Sequence, residues 1–248
     1  MIDIELDGKQ QTLPLPAIRN LAYHKDAAVR KAAFQAELDS YPRIEDSVAA
    51  ALNAIKGESI TMAEKRGFTS PLAKILHTSR MDEAILQALW TAIDEAKPVF
   101  QKYLRHKAKL LGHEEGLPFY DLLAPVGEVD LAYTFSEAAD FVVKNFHAYS
   151  TALGDYAQKA VDAHWIDVYP KKGKRGGAFC SNLHPIKESR FMLNFTGSYS
   201  NLTTLAHELG HGWHGHVLSN EPFLNSTYPM PLAETASTFC ELLVNSAA

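Results

Sequence analysis

The segment His207-Glu208-Leu209-Gly210-His211 places two histidines four residues apart, with a glutamate directly after the first. If the segment is helical, residues four apart point in similar directions, so both imidazoles can bind one metal ion. A Zn²⁺ ion with one open position acidifies a water molecule, and a neighbouring carboxylate can take its proton. We therefore predict that His207 and His211 bind one Zn²⁺ and that Glu208 is the general base.

The surroundings of this motif predict that it lies on a helix of about residues 200–218. An apolar stripe would bury one face, and Ser200 or Asn201 could cap the first turn. The stripe consists of Leu202, Leu205, Leu209 and Trp213. The same segment contains Gly210, Gly212 and Gly215, each of which costs about 1 kcal/mol against alanine inside a helix. Close approach of another backbone at a crowded site would offset that cost.

A third metal ligand is predicted at Glu234, which opens a second helix of about residues 231–245. Two imidazoles and one carboxylate leave a fourth position free for water. His214 is the first alternative, but three ligands from one rigid helix fit a tetrahedron poorly, so we expect it to contact substrate or support a ligand. Glu221 lies too near the first helix, and Glu241 is expected to support a ligand or to lie at the surface.

The rest of the chain is predicted to be mainly α-helical, with a small sheet near the metal motif. Residues 2–15 alternate around Asp7-Gly8 as a hairpin, and helical periodicity follows over 18–34, 48–62, 82–111 and 136–164. Short strands are predicted at 165–169, 178–180 and 191–193. We divide the chain into a hairpin and helical region, 1–164, and a zinc-site region, 165–248, within one catalytic domain.

Composition narrows the classes of partner. The formal net charge is −5 and the 24 basic residues are dispersed, so neither nucleic acid nor a membrane surface is an expected partner. No stretch of about eighteen apolar residues and no export signal is visible. Cys180 and Cys240 are expected to be packing residues, and so few cysteines suit a reducing cytoplasm. Oligomeric state is not predicted.

Beyond the metal motif, the chain resembles the oligoendopeptidase F branch of the thimet oligopeptidase family. Residues 205–211, with His214, are similar to the zinc helix of that family, and residues 232–239 are similar to its third-ligand helix. Residues 165–169 and 173–180 resemble the stretch whose edge strand lies along the bound peptide. The resemblance implies a mainly α, helical zincin-type peptidase core with a small β-sheet next to the zinc helix.

The resemblance also implies a function and further site residues. The expected activity is zinc-dependent, mostly cytoplasmic cleavage of short oligopeptides by an endopeptidase, with His207, His211 and Glu234 as ligands and Glu208 as base. Gly177, Ala178 and Phe179 would offer main-chain hydrogen bonds to substrate by strand addition. An ordinary edge strand is the alternative for that segment.

Relatives of this kind are longer on both sides, so we expect this chain to be an internal piece of such an enzyme. The resemblance implies that a later segment supplies a tyrosine and a histidine that stabilise the oxyanion. Whether Tyr199, Tyr228 or His184 replaces them is open at this point. Two other functions are weighed: a zinc carboxypeptidase, and a catalytically silent fragment that binds peptides.

Overall fold

The computed structural model describes residues 1–6, 8–127 and 132–247. Helices predominate over two small sheets in these residues, which confirms the predicted mainly α fold. The chain divides into two compact units. One unit comprises Met1, Thr12–Asn20 and Glu128–Ala248, and the other comprises Ile2–Gln11 and Leu21–Gly127. All the residues predicted to bind metal belong to the first unit.

Strands and helices are numbered along the chain. The first half contains β1 (Ile2–Leu6), β2 (Lys9–Leu13), α1 (Leu15–Asn20), α2 (Ala27–Ser40), α3 (Glu45–Lys65), α4 (Pro71–Ser79) and α5 (Glu83–Leu110). The second half contains α6 (Phe135–Tyr149), α7 (Thr151–Asp162), β3 (Ile166–Asp167), β4 (Phe179–Leu183), β5 (Glu188–Met192), α8 (Tyr199–Leu218) and α9 (Met230–Asn245).

The predicted N-terminal hairpin is present, because β1 and β2 form a two-stranded sheet. Of its predicted Asp7-Gly8 turn, Asp7 lies outside the described residues. Gly8 has φ +72°, a backbone conformation that glycine adopts without steric cost. Helix α4 was not predicted, although Ser70 accepts a hydrogen bond from the Ala73 N–H at its start.

A buried ion pair joins α2 to a later turn within the unit of residues 2–11 and 21–127. The Arg30 guanidinium donates to Asp121 Oδ1 at 2.8 Å, and both side chains are almost fully buried. His113 Nε2 lies 2.6 Å from the other carboxylate oxygen. Burial alone would raise the pKa of Asp121, but the hydrogen bonds from Arg30 and His113 outweigh it and lower the pKa.

The unit that includes residues 128–248 has its hydrophobic core between α6, α7, α8 and α9. Helix α6 begins with a reciprocal cap between Thr134 and Glu137, which satisfies backbone donors of the first turn. Its buried face then packs onto the other helices. The core side chains from α6 are Ala138, Ala139, Val142, Val143 and Phe146. This packing gives α8 and α9 a fixed support.

The three-stranded sheet has the order β3-β5-β4. β3 runs parallel to β5, and β4 runs antiparallel to it with Phe179 opposite Met192. β4 is therefore at an edge of the sheet, as predicted for the segment near residue 178. The predicted strand at 165–169 is reduced to Ile166–Asp167, whereas β4 extends further than predicted, to Leu183.

Among the described residues, none of the helices combines the length and the apolar character that crossing a bilayer requires.

Candidate metal centre

Helix α8 carries the H-E-x-x-H motif, as the apolar stripe predicted. Its cap is Ser198, slightly earlier than the predicted cap, and Ser198 and Asn201 exchange hydrogen bonds across the first turn. Leu202, Leu205 and Leu209 are completely buried, so one face of the helix is anchored in the core. His207 and His211 lie away from this buried face, and their rings are directed toward Glu234 of α9.

The structure brings the three predicted ligands together. His207 Nε2 lies 3.1 Å from His211 Nε2, and Glu234 Oε2 lies 3.2 Å from the first and 3.4 Å from the second nitrogen. Zinc bonds of about 2.0–2.1 Å in a tetrahedron separate neighbouring donors by about 3.3–3.4 Å. The observed separations of 3.1–3.4 Å are close to that spacing, so the three donor atoms can share one tetrahedral ion.

Close approach of two helix backbones places Glu234 in this position. A Cβ at Gly210 of α8 would lie 2.7 Å from the Ala236 carbonyl oxygen and 2.8 Å from Ser237 Cα, both on α9. Such distances are too short for a real Cβ, so only glycine permits this packing. The predicted reason for glycine in α8 is confirmed at Gly210.

Three further groups orient the donor atoms. Ser237, completely buried on α9, donates from its hydroxyl to Glu234 Oε2 at 2.8 Å. Glu241 forms a short hydrogen bond to His207 Nδ1, which leaves Nε2 of that ring facing Glu234. His211 also forms a hydrogen bond to the backbone of Ala233. The His207 ring is therefore held at the nitrogen that faces away from the other donors.

Glu208 lies beside the donors but in a different environment. Its residue is 5% exposed, and its Oε2 atom has no hydrogen-bond partner. Burial, with a smaller repulsion from Glu234, raises the pKa of Glu208 to about 7 despite the opposing effect of His207. A carboxyl group with a pKa in this range can both accept and return a proton near neutral pH.

His214 lies one turn beyond His211 and stacks on Tyr228, with ring centroids 4.2 Å apart. Its Nδ1 atom is buried and has no hydrogen-bond partner, and burial lowers its pKa. Tyr199 instead donates to Asn245. His184 Nε2 lies 3.0 Å from the Glu221 carbonyl oxygen. Of the three residues that the sequence left open, Tyr228 is therefore the one that contacts His214.

The hydrogen bonds of β5 determine which main-chain groups of β4 are free. Phe191 and Leu193 donate their N–H groups to the β3 side at 2.9 Å. N–H and C=O groups of successive strand residues point to opposite sides, so Arg190 and Met192 direct theirs toward β4. The partners of those two residues on β4 must therefore face β5.

This alternation shows which of the residues predicted to bind substrate direct their main-chain groups to the open edge of β4 and which direct them to β5. Phe179 is opposite Met192, so its main-chain groups face β5 and its partly exposed ring is what remains available. Cys180 directs its N–H and C=O groups to the open edge, and the same alternation, continued one residue before β4, predicts this direction for Ala178. Gly177 has φ +80°, and its carbonyl accepts from the Asn194 amide at 2.8 Å, which holds the entry to the strand.

The two cysteines are thiols, as expected. Cys240 is buried, and burial raises its pKa to about 12. Burial, followed by the nearby charge of Glu208, raises the pKa of Cys180 to about 12 as well. Both thiols therefore remain protonated near neutral pH.

Comparison with known proteins gives a consistent set of matches. The model of the family described as Peptidase family M3 matches residues 20–248. Oligopeptidase PepF of Bacillus subtilis is 26% identical over 240 residues, which are 96% of this chain and 36% of that protein. The chromosomal oligoendopeptidase F of Lactococcus lactis subsp. cremoris is 29% identical over 224 residues, 88% of this chain and 36% of that protein.

The fold is also found among solved structures. A structure of PZ peptidase A with an inhibitor has a TM-score of 0.83 and 20% identity, covering 97% of this chain and 44% of the other. Among the curated relatives, the matched region is about 36% of the length of each of the first three proteins.

Some residues of the centre were not predicted from the sequence. Ser237 had a detectable signal, because a serine three residues after a ligand on a helix shares its face. The stack of Tyr228 on His214 had none, since the loop between α8 and α9 has no periodicity. Asn182 of β4 had an indirect signal, because Gly215 is one of the helix glycines that indicate close packing and it faces Asn182.

Proposed function

This chain belongs to peptidase family M3, and from that premise we propose that it is the metal-binding and catalytic core of a zinc-dependent oligoendopeptidase. The proposal rests above all on one observation, the triangle of His207 Nε2, His211 Nε2 and Glu234 Oε2 with sides of 3.1–3.4 Å. Membership of the family implies a divalent metal ion. Two imidazoles with one carboxylate favour zinc over the oxygen-binding cations calcium and magnesium.

Each residue has a distinct role in the proposed reaction. Zinc, when bound by His207, His211 and Glu234, supplies Lewis acidity toward a carbonyl and toward water. Glu208 takes a proton from the attacking water and passes it to the nitrogen of the leaving amine, so it is unchanged at the end. Its raised pKa and its unpaired oxygen suit that exchange. Glu241 and Ser237 keep the ligand atoms aimed at the ion.

Substrate binding is proposed along the open edge of β4. An extended peptide would pair with the outward main-chain groups of Ala178 and Cys180, and the Phe179 ring would contact a substrate side chain. Gly177 would contribute by fixing the start of the strand rather than by pairing. A cavity of about 300 Å³, lined partly by Leu183, His216 and Tyr228, adjoins this strand and could hold one side chain.

His214 and Tyr228 are proposed to form one wall of the substrate site. Their stacked rings bring a neutral imidazole and a phenol to the loop that follows α8. We further propose a cytoplasmic location, supported by the two free cysteines, and short peptides as substrates.

Two other functions remain as outcomes of one assay. A peptide blocked at both ends is cut by an endopeptidase but not by a zinc carboxypeptidase, which needs a free carboxy terminus. A peptide-binding fragment without catalysis would take up one zinc ion and bind the peptide without cutting it. This last outcome has a specific motive, because relatives extend well beyond the region this chain matches.

The test combines metal analysis with mass spectrometry of a doubly blocked peptide. We expect one zinc ion per chain, internal cleavage, and loss of both cleavage and zinc when His211 is replaced by alanine. Glu208→Gln serves as the matched variant, since it should retain zinc and lose about 10²- to 10⁴-fold in kcat. A kcat for Glu208→Gln within about tenfold of the unsubstituted chain would contradict the assigned base.

A further inference from the structure

The side chain of Asn182 connects the edge strand β4 to the metal helix α8. Its Nδ2 donates to the main-chain carbonyl of His211 at 3.3 Å. In an α-helix that carbonyl already accepts from the N–H of residue 215, so Asn182 provides a second donor. A residue of the proposed substrate strand is thus bonded directly to the backbone of a proposed metal ligand.

A glycine makes this contact sterically feasible. A Cβ at Gly215 would collide with the carboxamide of Asn182, because the amide lies flat against the helix at that point. Glycine inside a helix costs about 1 kcal/mol of helix stability relative to alanine. At position 215 it leaves the space that the Asn182 side chain occupies. The identities of the two residues therefore depend on each other.

Buried hydroxyl groups fix the orientation of the amide. The Tyr156 phenol donates to Ser189 Oγ at 2.9 Å, and Ser189 Oγ donates to Asn182 Oδ1 at 2.7 Å. Burial raises the pKa of Tyr156, so the phenol keeps its proton as a donor. Because Oδ1 accepts from Ser189, Nδ2 must face His211. Three elements, α7, β5 and β4, therefore hold one side chain against α8.

The main chain of Asn182 faces the other way. It has the same parity as Cys180, so its N–H and C=O groups point to the open edge where a peptide would pair. The residue is exposed, as expected for a strand that contacts ligand. One residue therefore connects the line of substrate hydrogen bonds to the ligand-bearing turn of α8.

We propose that Asn182 is a positioning residue that fixes the distance between a β4-paired peptide and the metal centre. The inference rests on the proposed peptidase function. Without this link β4 could shift along α8, and the scissile carbonyl would be offset from Glu208 and the ion. Misplacement on the order of 1 Å costs up to about 100-fold in rate without preventing binding.

The experiment compares four variants in the blocked-peptide assay. Asn182→Ala is expected to lower kcat about 10- to 100-fold, with KM and zinc content within about twofold of the unsubstituted chain. Asn220→Ala is the matched control, because Asn220 accepts from Lys187 and so also joins the β4–β5 hairpin to the end of α8, away from His211. It should change kcat by less than about twofold.

Gly215→Ala supplies an independent test that does not remove Asn182. Its methyl group should displace the amide and lower kcat as Asn182→Ala does, but it should have little effect once Asn182 is alanine, since the space is then vacant. Additive losses in the double variant would overturn the inference. So would a kcat for Asn182→Ala equal to that of Asn220→Ala, or a loss explained by missing zinc.

Different results would contradict the proposed function and the role of Asn182. An unsubstituted chain that takes up zinc and cuts no peptide contradicts the proposed function itself. A chain that cuts the peptide, with Asn182→Ala equally fast, leaves the function intact and contradicts only the role of Asn182.

Discussion

Replacement of Gly210 by alanine should loosen zinc binding because it separates α8 from α9. The added Cβ would stand 2.7 Å from the Ala236 carbonyl oxygen, whereas an ordinary contact begins at 3.4 Å, so α9 must retreat by about 0.7 Å. Zinc bond lengths tolerate about 0.2 Å. Glu234 lies on the displaced turn, two residues before Ala236. We expect zinc affinity to fall about 10- to 100-fold, as for other changes that misplace a ligand.

The same substitution has opposing effects on stability. Overpacking costs about 1–3 kcal/mol, and alanine returns about 1 kcal/mol over glycine in a helix, so the net loss is about 0–2 kcal/mol. Gly57→Ala is the matched control, because Gly57 lies inside α3 and a Cβ there meets nothing within 4 Å. That variant should be up to about 1 kcal/mol more stable and bind zinc normally.

Zinc affinity is measured by competition with a chromophoric chelator, and stability by urea denaturation of the metal-free protein. The comparison separates the two effects, since affinity is determined under conditions in which each variant is folded. Zinc binding by Gly210→Ala within about twofold of the unsubstituted chain would refute the reasoning. It would mean that the exposed Glu234 side chain, 53% accessible, follows the ion even when its helix moves.

Two further predictions concern hydrogen bonds to charged groups. Glu241→Gln, which weakens the bond to His207 Nδ1, should reduce zinc affinity by about tenfold or more in the same competition assay. Asp121→Asn removes the charge that neutralises the buried Arg30 guanidinium and should cost about 3–5 kcal/mol at pH 7 by urea denaturation. The folded pKa of Asp121 is lowered, so its contribution is complete above the ordinary pKa of about 3.9 and is lost as pH falls below it; Asp121→Asn should lack this acid-dependent loss.

The sequence predicted the local elements of the centre well, because their determinants are local. Periodicity determines α8 and α9 to within one residue, whereas the cap of α8 is Ser198 and not Ser200 or Asn201, and α9 begins after Pro229 without a side-chain cap. The two imidazoles follow directly from helix geometry. Glu234 was predicted from chemistry rather than from contacts, and the structure supplies the physical reason for its place, the backbone approach at Gly210.

Contacts between distant elements could not be predicted in the same way. The direction of main-chain groups in β4 depends on its register with β5, and a shift of one residue would reverse it. The bond from Asn182 to His211 depends on that register as well. Tyr228 lies in a segment whose conformation is decided by packing against α8 rather than by its own periodicity. For such residues the sequence shows the two side chains that could interact, but it does not show that they come into contact.

Glu208 and Glu234 carry the same functional group, and their surroundings separate their roles. Glu234 accepts from Ser237 and faces two imidazoles, so its oxygen is committed to that cluster. Glu208 is buried, and its Oε2 atom has no hydrogen-bond partner among the described residues. A fold optimised for stability alone would pair or expose that group. A general base must keep an oxygen free to accept a proton from its substrate. The missing hydrogen bond of Glu208 Oε2 is therefore explained by catalysis and not by the stability of the fold.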